Sequence, residues 1–290
     1  MAAVMGLGLV AWSGIAAEPP AWRFEPAGGW YASNVAVTIA GATGEIRYTL
    51  DGTIPATNSP LYAGPLMLSN SCYLQARVFA TGAPSSAIVG ETYTLLETNF
   101  TNFTSTLPLV IVQTFGRGVV AIGRQPASLR VVDVATNGTA SLLDPPHYEG
   151  RAGIKQRGFT SRRYPKISLS VETVEADGSD RDVGLLGLPA DSDWVLYAPY
   201  VDKSLVRDVL AYDLARQMGG YAARTRFVEV FFNDTTNRLS PAHYAGVYVL
   251  AERVKRGAQR VAIHKLGTND VAEPEITGGY IPNGFGYSGL

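Results

Sequence analysis

Only one stretch of this chain, Lys203–Met218, repeats its apolar residues at helical spacing. Val206, Leu210 and Leu214 recur every four residues, with Leu205 and Val209 beside them. Asp202 stands where an N-cap would, and Gly219-Gly220 where a helix would stop. Elsewhere the pattern is one of short alternating runs closed by Gly, Pro, Asn or Asp, which is how strands and turns read. The core must therefore be built mostly from sheets. In the front part, Val35–Ile39, Ile46–Leu50, Cys72–Phe79 and Ala87–Leu95 read as strands, and Asp51-Gly52 as a tight turn. Pro55, Pro60, Pro65 and Pro84 fall between strands, where a missing N–H does no harm. This spacing predicts an all-β sandwich over residues 26–96.

Glu97–Thr106, rich in Thr and Asn, reads as a linker. A second module is expected over 107–290. Its predicted strands are Leu107–Gln113, Ala127–Ala135 with the Asn137-Gly138 turn after it, Ile154–Arg157, Ile167–Val174, Phe227–Phe232, Gly246–Ala251 and a short Val261–Lys265. With the one helix among them, they predict an α+β module and a multidomain chain.

Charge and composition exclude several functions. The net charge is -1, without the basic excess of a nucleic-acid binder. Cys72 is alone, and His147, His243 and His264 are far apart, so neither a disulfide nor a zinc site has a starting point. Ala2–Ala17 is apolar and uncharged, and Glu18-Pro19-Pro20 follows. Residues 1–17 read as a signal peptide, which predicts a secreted or cell-surface protein with no transmembrane span.

Three clusters carry chemistry. The first is the loop Arg157-Gly158-Phe159-Thr160-Ser161-Arg162-Arg163-Tyr164-Pro165-Lys166 between two strands. Glycine permits close backbone approach, hydroxyls and N–H groups bond phosphate oxygens, arginine grips phosphate in a fork, and lysine adds a point charge. A solvated basic hairpin reads equally well. The second cluster, Asp191 through Asp202 and Lys203, leads into the helix start, where free N–H groups favour anions, with Arg207 one turn in. Read alone, Asp202 is a cap, and Asp208 and Asp213 are surface charges. The third is the strand ending at Glu252, whose carboxylate could pair with Lys166 or stand exposed. Asp191 and Asp193 are too close in sequence to form the facing acids of a glycosidase.

Tyr48-Thr49-Leu50-Asp51-Gly52-Thr53-Ile54-Pro55, Ser59-Pro60-Leu61-Tyr62, Ala76-Arg77 and Tyr93 resemble the Fn3-like (immunoglobulin-like) module at the C-terminus of chitobiases and β-hexosaminidases. That resemblance implies an accessory without catalytic residues. A spacer is the expected role; polysaccharide contact would rest on Trp22, Trp30 and Tyr31, which packing explains as well.

Arg157-Gly158 through Lys166, Leu186-Gly187-Leu188-Pro189-Ala190-Asp191-Ser192-Asp193-Trp194, Asp202-Lys203, Met218-Gly219, Gly246-Val247-Tyr248 through Glu252, and Ile276-Thr277-Gly278-Gly279-Tyr280-Ile281 together resemble the CotH spore-coat kinases. That resemblance implies an atypical kinase-like fold that uses ATP and a divalent cation, Mg or Mn, to phosphorylate serine or threonine of secreted or coat proteins. It places Arg157, Gly158, Ser161, Arg163, Lys166, Asp202, Lys203, Arg207 and Glu252 around the nucleotide. The family's metal-binding aspartates follow the Gly-Gly-Tyr-Ile segment, and from Glu252 to Leu290 this sequence has only Asp270. The resemblance therefore places no catalytic residue within the sequence and expects the catalytic acids beyond Leu290. The expectation is a kinase-like domain lacking its C-terminal part, inactive as it stands. A non-catalytic surface or adhesion protein on the same scaffold is the alternative.

Overall fold

A computed structural model of the chain describes residues 22–79, 86–273 and 276. The segment expected as a signal peptide, Pro84, the whole Gly-Gly-Tyr-Ile segment and the tail from Pro282 to Leu290 lie outside the described residues. The expectation of catalytic acids beyond Leu290 falls outside them as well, and the structure does not bear on it.

The front module is a two-sheet sandwich. One sheet holds β1 (Arg23–Glu25), β3 (Val35–Ala40) and β5 (Leu66–Leu68) in the order β1-β3-β5. The other holds β2 (Gly29–Tyr31), β4 (Glu45–Thr49), β6 (Cys72–Phe79) and β7 (Val89–Leu95) in the order β2-β7-β6-β4. Alternate residues meet between the sheets: Val35, Val37 and Ile39 from β3 face Leu74, Ala76, Tyr93 and Leu95. Trp22 is buried in this core, and Tyr31 stacks on Tyr93 with centroids 5.9 Å apart. Trp30 packs beneath Arg130, 4.6 Å from guanidinium to ring centre. Each of the three rings considered for sugar stacking thus has a packing partner within the protein.

The rest is a closed barrel with one helix among the described residues, more strongly β than the α+β expectation. The strands are β9 (Leu109–Gln113), β10 (Gln125–Val132), β12 (Tyr148–Arg157), β13 (Ser168–Val174), β14 (Asp193–Tyr197), β15 (Thr225–Asn233) and β16 (Tyr244–Glu252). Their order is β10-β12-β13-β14-β16-β15-β9, closed by the β9–β10 pair. Only β9 and β15 run parallel. Every second residue points inward. Val110, Leu129, Ile154, Leu169, Trp194, Val228 and Leu250 share one core, which Leu185, Leu186 and Leu188 join from a loop. The expected strand at Val261–Lys265 is only a bridge from Val261 to Arg256.

β9 is buried at every position because both of its faces are covered. Leu109 and Ile111 point outward onto Phe100, Leu142 and Leu239. The segment expected as a linker is thus a packed joint. It holds a 3-10 turn at Thr98–Phe100 and a two-residue strand, β8 (Thr104–Ser105), paired with β11 (Ala140–Ser141). Arg238 adds to the joint, donating to the carbonyls of Ala32 at 3.2 Å and Leu96 at 3.1 Å and to Asn34 Oδ1 at 2.7 Å.

The helix, α1 (Arg207–Gln217), starts four residues later than expected. Asp202 is not at the N-cap position, which Val206 occupies, yet its carboxylate accepts the N–H of Ser204 at 3.0 Å and of Arg207 at 2.9 Å. More importantly, the apolar repeat that announced the helix faces solvent: Val206, Leu210 and Leu214 are all exposed. The helix meets the barrel through its other side, where Val209 packs near Val195, Val249 and Ala251.

Candidate functional site

β12 and β13 form a hairpin whose paired ends are Arg157 and Ser168. Gly158 turns the chain at φ +98°, a conformation that favours glycine, and places its Cα close to Ser161 Oγ. Thr160–Arg163 form a 3-10 turn, and Tyr164 stacks on Tyr200 with centroids 5.4 Å apart, tying the hairpin to the lead-in of α1. Phe159, Arg163, Lys203 and Arg207 are exposed to solvent. Lys203 folds back onto Tyr200, 4.5 Å from its ring, and donates to its carbonyl at 3.0 Å.

Lys166 turns instead toward β16. Its ammonium donates to the carbonyl of Val247 and lies 4.5 Å from the Tyr248 ring. Burial holds its pKa below the ordinary lysine value. Glu252 is five residues further along β16, about 16 Å of strand, so the two do not pair. Nor is Glu252 exposed. Its side chain is fully buried, with Oε1 accepting from Arg224 Nε at 2.8 Å and Arg260 Nη1 at 2.6 Å, and Oε2 from the Arg224 N–H at 3.0 Å.

Of the expected site residues, Arg157 and the edge of Glu252 reach a cleft. A groove of about 270 Å³ runs between α1 and the outer barrel face, lined by Arg157, Tyr197, Asp208, Val209, Tyr212 and the edge of Glu252. Arg253 and Tyr212 stand near Arg157, which forms no ion pair among the described residues, while Asp208 and Glu252 line the same groove. Burial, followed by the charge of Arg253, lowers its pKa from the arginine value. Across the groove, burial and then Asp208 push the Tyr197 phenol upward. Asp208 and Tyr212 escape a reading for charge or apolarity alone. They lie four apart on α1, opposite the apolar repeat, and that spacing was the available signal.

Below the groove, Asp193 gathers Arg253 at 2.8 Å, Lys255 at 2.9 Å and Arg124 at 3.3 Å, while Asp191 takes Lys255 at 2.7 Å. Burial raises the Asp193 pKa, but the bonds and charges of Lys255 and Arg253 outweigh it, and the net result is below the ordinary 3.8. A depressed folded-state pKa stabilises the fold above the unfolded value and ceases to do so as pH falls through the folded one. Acid titration of the melting temperature is therefore expected to show a loss beginning near pH 4 and continuing below it. Asp193→Asn should flatten that limb, and an unchanged acid limb would contradict the assignment.

Residues 154–273 match the family described as CotH kinase protein. Residues 26–91 match the family described as chitobiase/beta-hexosaminidase C-terminal domain. The first match begins inside β12, so β9, β10 and the first half of β12 complete a barrel that the matched segment does not close alone. No curated protein matches the chain.

Proposed function

We propose that this chain, which carries a CotH kinase domain behind a chitobiase-type module, belongs to an exported kinase that takes phosphate from ATP for serine or threonine of extracytoplasmic or coat proteins. The groove under α1 receives the phosphate end of the nucleotide. The observation that carries this reading is Arg157, an exposed cation beside a second arginine that forms no ion pair among the described residues and lines a cleft. A phosphate oxygen would supply the missing charge and accept from the guanidinium fork. Tyr212 and Tyr197 offer the neighbouring aromatic surface, and Asp208 an acceptor for a ribose hydroxyl. Among the expected ligands, Gly158 shapes the turn after Arg157. Ser161, Arg163, Lys203 and Arg207 belong to the hairpin and helix lead-in outside the groove lining, and Asp202 holds that lead-in together.

The described residues do not fit a divalent cation. No three of His, Cys, Asp and Glu gather among them, and the oxygens of Glu252 are held by two arginines. No phosphoryl-transfer step is therefore assigned to them. The second reading, a non-catalytic surface protein on this scaffold, is favoured by the engagement of Lys166 with Val247 and Tyr248. Among the described residues no helix is long and apolar enough to cross a membrane.

Calorimetric titration of the chain with ATP, tripolyphosphate and adenosine tests the proposal. Saturable ATP binding that tripolyphosphate displaces and adenosine does not is the expected result. Absence of ATP binding, or displacement by adenosine alone, would overturn it.

A further inference from the structure

The front module also touches the barrel through the loop that follows β9. The loop 114–124 leaves β9 and returns as β10. Its near end is keyed to the front module. Arg117 pairs with Asp51, whose Oδ1 is itself fixed by the N–H of Thr53 at 3.1 Å and by its hydroxyl at 2.5 Å. Phe115 is buried at φ +54°, a conformation bulky side chains rarely adopt, with its ring 6.2 Å from that of Tyr73 in β6. Arg151 of β12 reaches the same turn, donating to the Gly52 carbonyl at 3.2 Å and lying 5.4 Å from the Tyr73 ring.

The far end of the loop lies along the strand that carries Arg157. The Gln156 N–H donates to the Val120 carbonyl at 2.9 Å, and its side-chain amide donates to Val119 at 2.9 Å. Arg124, the last residue before β10, pairs with Glu172 and with Asp193 at 3.3 Å. Asp193 in turn holds Arg253, the cation beside Arg157. Contacts thus run unbroken from Asp51, through a strained loop, to both neighbours of the groove's arginine.

We propose that the front module is a positioning element of the groove, with Asp51 acting through Arg117 and loop 114–124 on Arg157, and is not a spacer. A strained conformation at a buried residue persists only where its surroundings hold it, and here Tyr73 of the front module is among those surroundings. Without the Asp51–Arg117 pair, the loop loses an anchor and the Val119–Val120 carbonyls lose their fixed place beside Gln156. As far as it concerns ligand binding, the inference rests on the groove's being a phosphate site.

The test uses the full chain with Asp51→Asn, Arg117→Asp, and the swap combining Asp51→Arg with Arg117→Asp. Hydrogen exchange at the Gln156 amide is read beside ATP affinity. The single variants should exchange faster at Gln156 and bind ATP roughly 2- to 30-fold more weakly, while Val131 and Leu250 in the barrel core keep their protection. The swap should restore both readouts. Unchanged Gln156 exchange in both single variants overturns the inference, and so does protection lost evenly across the barrel core, which would mark general unfolding. If the parent chain binds no ATP, the phosphate reading fails by itself, and Gln156 exchange still decides whether the front module anchors the loop.

Discussion

Replacing Glu252 with alanine is expected to lower the stability of the barrel by about 3–5 kcal/mol, the largest effect of any single carboxylate among the described residues. Glu252 ends β16 with its side chain fully buried and is the nearer of two counter-charges for Arg260, at 2.6 Å against 3.5 Å for Asp191, while only 2% of the Arg260 side chain is exposed. Arg224 depends on it twice, through its guanidinium and its backbone N–H. Truncation takes the acceptor from Arg224 Nε, from its backbone N–H and from the buried Arg260 Nη1. That penalty exceeds the net value of the ion pair, because both partners gave up water to form it. For a domain of this size the melting temperature should fall by roughly 6–20 °C. Glu252→Leu combined with Arg260→Met removes both charges and should recover most of the loss. Thermal melts of the parent, the single and the double variant decide it. A single variant that melts with the parent, or a double variant worse than the single, would show that this buried pair does not secure the end of β16.

The elements that sequence reveals and those it hides differ for physical reasons. β3, β4, β6 and β7 show period-two alternation over five or more residues and are readable as strands. β1, β2 and β5 are three residues each, too short to display a period. β12 begins with Tyr-Glu-Gly-Arg-Ala-Gly, where two glycines and two charges mask a strand whose partners lie on either side. Barrel closure rests on the parallel pairing of β9 with β15, between segments more than a hundred residues apart, and no local pattern encodes it. The helix is legible but its orientation is not. Periodicity says that one face is apolar without saying what covers it, and the face that meets the barrel carries Asp208 and Tyr212. Within the site, the basic hairpin and its glycine are evident from sequence, whereas the division of labour among its cations is not. Strand direction sends Lys166 toward Val247 and leaves Arg157 alone at the groove. Glu252 shows the same limit: its strand is readable, but the arginines that bury it come from Arg224, before β15, and Arg260, in the loop after β16.

Arg157 is the proposed phosphate ligand, and its replacement should have the largest effect on nucleotide binding. A charged hydrogen bond to phosphate is worth about 1.5–3 kcal/mol, so Arg157→Ala should weaken ATP binding by roughly 10- to 150-fold. Arg157→Lys should fall between, because an ammonium keeps the charge and loses the fork. The residue lies at the end of β12 and more than a third of it is exposed, so neither change should unfold the barrel. Lys166→Ala is the contrasting variant: it frees the Val247 carbonyl and should leave ATP affinity near that of the parent. Calorimetric ATP affinities of these variants beside the parent chain therefore test the central assignment most directly. A selective loss at Arg157 is the expected outcome. If Arg157→Ala binds as tightly as the parent while Lys166→Ala does not, the phosphate site lies at the hairpin's other end and the groove assignment is contradicted.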